Sequence, residues 1–100
     1  MQVAAEIAVV PLATDEPLSD YVAACEQVLR EAGFQPRLHA LGTEVAGDWD
    51  AVMTAVKRCQ ETVHEMGAPR VLTHLKLATR TDVAVDLDTP VAKVRRKLKD

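Results

Sequence analysis

One hundred residues with 48% apolar and 27% charged side chains describe a single soluble globular domain, not a disordered chain. Aromatic residues are 3%, namely Tyr21, Phe34 and Trp49, which leaves too few rings for a single-stranded nucleic-acid platform. The net charge of −3 divides unevenly: residues 93–100 hold five basic side chains and one acid, and the remaining 92 residues carry −7. An acidic body of that kind repels phosphate backbones and tolerates cationic ligands.

Val3–Leu12 (VAAEIAVVPL) is apolar and rich in β-branched residues, and reads as the first strand. Leu18, Val22, Cys25, Leu29 and Ala32 recur at helical spacing, and Gly33 stops that helix. Gln35–Leu41 alternates as a second strand. Gly42 offers a turn, and Thr43–Gly47 forms a third strand. Asp48 is placed to cap the next helix, whose stripe is Val52, Val56, Cys59, Val63 and Met66 before Gly67. Arg70–Ala78 is the fourth strand. Residues 79–88 are polar, and Thr89-Pro90 reads as the cap and first residue of a short basic helix.

The order β-α-β-β-α-β predicts an α+β, ferredoxin-like sandwich: four antiparallel strands in the order 4-1-3-2, two helices on one face, and a C-terminal helix. Residues 1–88 are expected to form this domain, suited to holding a ligand, and residues 89–100 its basic terminal helix. Strand alternation places Ile7, Val9, Leu38, Val45, Val71, Thr73, Leu75 and Leu77 under the helices. The opposite face receives Ala4, Glu6, Ala8, Val10, Arg37, His39, Glu44, Ala46, Leu72, His74 and Lys76. A face that mixes small apolar residues with charges is suited to a second copy of the chain or to a ligand.

Glu6 stands mid-strand in the most apolar segment. It is expected to pair with Lys76 or His74 on the neighbouring strand, or to accept an amine from a ligand. Cys25 and Cys59 lie on helix stripes, without CxxC spacing or a nearby His, and read as buried free thiols. No spacing demands a metal, and none is assigned. No leader or membrane-spanning run is evident, so the expected compartment is the cytoplasm.

The segments AEIAVVPLAT, LGTEVAGDWDAVMTAVKRCQE and GAPRVLTHLKLATRTD together resemble the thiamine-binding protein family, over nearly the whole chain. Gly42, Thr43, Gly47, Asp48 and Asp50 match the family's middle segment. Ala46 replaces its Glu, and Glu44 supplies a carboxylate about 7 Å away on the same strand face. Arg70, Thr73, Lys76, Arg80 and Asp82 follow its last segment.

The resemblance implies a non-catalytic binder of thiamine or hydroxymethylpyrimidine, in transport, storage or sensing of the vitamin, with no further cofactor. It also implies a homotetramer, without nucleic-acid partner or membrane insertion. Glu6, Thr43, Glu44 and Lys76 are its candidate ligand-binding residues, with Ser19 at the first helix start and Thr73 on the last strand. The competing reading is a structural or regulatory oligomer that binds another small molecule. An acylphosphatase needs an Arg-bearing loop where this chain has ATDEP, and a heavy-metal carrier needs a CxxC loop.

Overall fold

The computed structural model describes residues 1–98, so Lys99 and Asp100 of the basic tail lie outside the described residues. The elements are β1 (Gln2–Leu12), α1 (Leu18–Glu31), β2 (Arg37–His39), β3 (Gly42–Asp48), α2 (Trp49–Glu65), β4 (Arg70–Arg80) and α3 (Asp88–Lys97). The sheet order is β2-β3-β1-β4 and every pair is antiparallel, the ferredoxin-like arrangement expected. Val3, Ala5, Ile7 and Val45 on the sheet meet Tyr21, Cys25 and Leu29 of α1, and Val52, Val56, Cys59 and Val63 of α2, to form the core.

Both helices end in the same way. Gly33 (φ +93°) and Gly67 (φ +114°) adopt the left-handed conformation just past α1 and α2. Their N–H groups bond Arg30 O and His64 O, and those of Phe34 and Ala68 bond Leu29 O and Val63 O. This closes the orphan carbonyls at a position where any Cβ is strained. At the start of α2, Asp48 accepts from Asp50 N (3.3 Å) and pairs with the N-terminal amine (3.3 Å). Asp48→Ala is expected to cost about 0.5–2 kcal/mol, read as a lower urea midpoint; an unchanged midpoint would show that the cap is dispensable.

Four sequence expectations change. The stripe of α1 is rotated: Tyr21 and Glu26 are buried, whereas Leu18 and Ala32 are exposed. Met66 is likewise exposed, because it lies at the C-cap of α2, past the last buried turn. β2 is cut to three residues, because Pro36 lacks an N–H to donate and Ala40-Leu41 make the turn into β3. α3 starts at Asp88, not after Thr89, with Leu87 at its N-cap; the Asp86 carboxylate just before it accepts from Asp88 N (2.7 Å), Thr89 N (3.4 Å) and the Thr89 hydroxyl.

α3 buries no side chain, and its start is tied to β2 by an Arg37–Asp88 ion pair. Arg80 and Asp82 clamp the end of β4 with two hydrogen bonds of 2.8 and 2.7 Å. The hydrogen bond from Arg80 holds the Asp82 carboxyl far below the usual carboxylate range. Whatever this exposed pair adds is therefore complete above the unfolded carboxylate pKa of about 4 and lost as the pH falls further.

Candidate functional site

The two sheet faces carry different chemistry. Under the helices, a cavity of about 280 Å³ opens between α1, β1 and the β2–β3 turn. Ile7, Val9, Val22, Leu29 and Leu38 give it apolar walls, and Cys25 and Cys59 also line it. Glu26 is 9% exposed and accepts a short hydrogen bond from the Thr43 hydroxyl. A carboxyl group there is costly unless its oxygens are bonded, and the bond from Thr43 is the only one it receives among the described residues.

The local sequence explains the arrangement. Glu26 follows Cys25 on the buried side of α1, three residues before Leu29. Thr43 lies opposite Ile7 and two residues before Val45, so strand alternation turns it toward the helices. Leu38, also on that side, is left exposed at the cavity rim.

The two thiols are free, buried and reciprocally bonded. Cys25 Sγ donates to Cys59 O (3.9 Å), and Cys59 Sγ donates to Cys25 O (3.7 Å). The hydrogen bond with Cys25, reinforced by burial, pushes the Cys59 thiol far up, so it stays a thiol.

On the open face the pairing register aligns one charged row across all four strands: Arg37, Glu44, Glu6 and Lys76. Arg37 turns to Asp88. Glu6 is half-exposed, and the group nearest its carboxylate is His39, at 3.4 Å, rather than Lys76 or His74. Glu44 lies 3.6 Å from the same imidazole nitrogen. Gly42 permits this reach. It pairs with His39, and a Cβ there would meet Ile7 O at 3.0 Å and Glu6 Cγ at 3.5 Å.

The six candidate residues therefore do not converge. Glu6, Glu44 and Lys76 share the open face. Thr43 and Thr73 lie under the helices, and Thr73 Oγ1 is buried without a hydrogen bond. Ser19 is exposed in the first turn of α1. The sequence reading missed Glu26, and the available signal was a carboxylate set inside an apolar stripe between Val22 and Leu29.

The sequence pattern of the thiamine-binding protein family matches residues 5–95. A UPF0045 protein of Synechocystis is 44% identical over 100 residues, spanning 100% of this chain and 83% of its own. One from Eremothecium gossypii is 38% identical over 96 residues, spanning 95% and 91%. Among solved structures, a domain of unknown function, DUF77, from Bacillus cereus superposes with a TM-score of 0.85 at 28% identity, over 98% of this chain and 94% of its own. A Thermotoga maritima protein described under thiamine biosynthesis/salvage shares the fold, with a TM-score of 0.81 at 21% identity over 95% and 100%. With the match running from β1 into α3, the chain belongs to the thiamine-binding protein family.

Proposed function

We propose that the chain binds thiamine, or its hydroxymethylpyrimidine moiety, in the cavity between α1 and the sheet, without performing chemistry on it. The observation that carries this reading is the Glu26 carboxyl group, buried in an apolar cavity with Thr43 as its hydrogen-bond donor. An aminopyrimidine offers an amine and a ring nitrogen to such a pair, and thiamine adds a positive charge. A cavity of about 280 Å³ is at the small end for ligand sites, the scale of one or two rings. Family membership and the Thermotoga neighbour's description support the same ligand class.

A binding role also fits the chemistry of the lining. Among the described residues, the cavity's hydrogen bonds join the Glu26 carboxyl to the Thr43 hydroxyl and each thiol to the other cysteine's carbonyl, and none joins a thiol or hydroxyl to His39, which also lines the cavity. Two thiols kept free suit a reducing compartment such as the cytoplasm. Titration calorimetry with thiamine and with hydroxymethylpyrimidine tests the reading. Saturable binding of one molecule per chain is expected, and no heat with either ligand would contradict it.

The assembly belongs to the same proposal. β4 is an edge strand of 11 residues with one side unpaired, and Ala4, Ala8, Val10, Ala46 and Leu72 lie on the face away from α1 and α2, which Leu87 covers only in part. Long bare edges and open apolar faces are ordinarily covered. A tetramer joined through edges and faces covers both. Light scattering at micromolar concentration is expected to report a multimer, and a species of 10.9 kDa would contradict it.

A further inference from the structure

The geometry points to a divalent-metal site on the sheet face away from α1 and α2, formed by Glu6 of β1, His39 of β2 and Glu44 of β3, with His39 also at the rim of the cavity. One ligand atom from each residue lies within 4.8 Å of the others. His39 Nε2 is 3.4 Å from Glu6 Oε2 and 3.6 Å from Glu44 Oε1. Those separations are long for hydrogen bonds. They match the edge of a tetrahedron, roughly 3.4 Å, whose arms are the roughly 2.1 Å bonds of zinc to nitrogen and oxygen.

Two further features favour a bound cation. Glu6 and Glu44 are direct cross-strand partners, and like charges so placed are destabilising. The cations flanking them in the row do not relieve this: Arg37 bonds Asp88, and among the described residues no Lys or Arg nitrogen lies within 4.0 Å of either carboxylate. Moreover, His39 Nε2 is shut off from solvent and makes no hydrogen bond, although it faces both carboxylates.

An ion held by one imidazole and two carboxylates satisfies all three groups. The donor set, nitrogen and oxygen without thiolate, suits zinc and its first-row neighbours. Binding at Nε2 moves the imidazole proton to Nδ1. That exchange gives up only the 3.4 Å contact from Leu41 N, in a turn whose Leu41 side chain is 85% exposed.

The test is calorimetry with zinc chloride on the chelator-treated protein, together with visible spectra after cobalt addition. One ion per chain is expected, with the bands of tetrahedral cobalt. His39→Ala and Glu44→Gln should each weaken zinc at least tenfold, while His74→Ala, on the same face, leaves it unchanged. Circular dichroism establishes that each variant is folded. His39 is on the short edge strand, so its removal leaves the core intact. No zinc binding, or a folded His39→Ala that binds as tightly as wild type, overturns the site.

Discussion

Glu26→Gln is expected to weaken thiamine binding by about 1.5–3 kcal/mol, the range for a hydrogen bond to a charged group. That is roughly ten- to 150-fold in Kd. Glutamine keeps the shape of the side chain, and its amide oxygen still accepts from the Thr43 hydroxyl. The change therefore removes charge and basicity while preserving the packing of α1. Calorimetry measures the affinity, and a thermal melt of the same sample reads the stability. Equal affinity in a folded variant would show that the carboxylate does not touch the ligand.

Tyr21→Ala is expected to give the largest loss of stability in the chain, about 3–5 kcal/mol, in line with other aromatic truncations in cores. A domain of this size has only about 5–15 kcal/mol in total. Tyr21 is 1% exposed and is the largest fully buried side chain. Its hydroxyl meets Thr14 Oγ1 at 2.8 Å, tying the β1–α1 loop to the helix. Tyr21→Phe removes only that bond and should cost about 0.5–1.5 kcal/mol. Urea midpoints for the pair separate packing from hydrogen bonding. A Tyr21→Ala loss below 1 kcal/mol would mean that α1 repacks over the gap.

The fold was legible because strand alternation, helical spacing and turn residues all agree in this chain. Val3–Leu12, the Asp48 cap and the Gly33 and Gly67 stops each had a local cause, and each stands within a residue or two of its expected place. The site was less legible. The sequence reading groups Thr43 with Glu44 although neighbours on a strand point to opposite faces. Parity alone separates them, and the register confirms it, with Ile7 opposite Thr43 and Glu6 opposite Glu44.

Glu26 and Tyr21 were hidden for another reason. Selecting apolar residues at helical spacing passes over a carboxylate inside the stripe, and picks Leu18 and Val22 in place of Tyr21. The helix is instead rolled so that Tyr21, Cys25 and Leu29, at i, i+4 and i+8, face inward. His39 reaching Glu6 was not visible in either residue's own neighbourhood. It depends on Gly42, between them in the sheet, having no side chain.

Nuclear magnetic resonance mapping of a thiamine titration tests the central claim most directly, because it reads which face of the sheet the ligand meets. The account predicts shifts concentrated at Val22, Glu26, Thr43 and the 38–42 turn, where the cavity opens. Shifts confined to Glu6, His74 and Lys76 on the open face would contradict it.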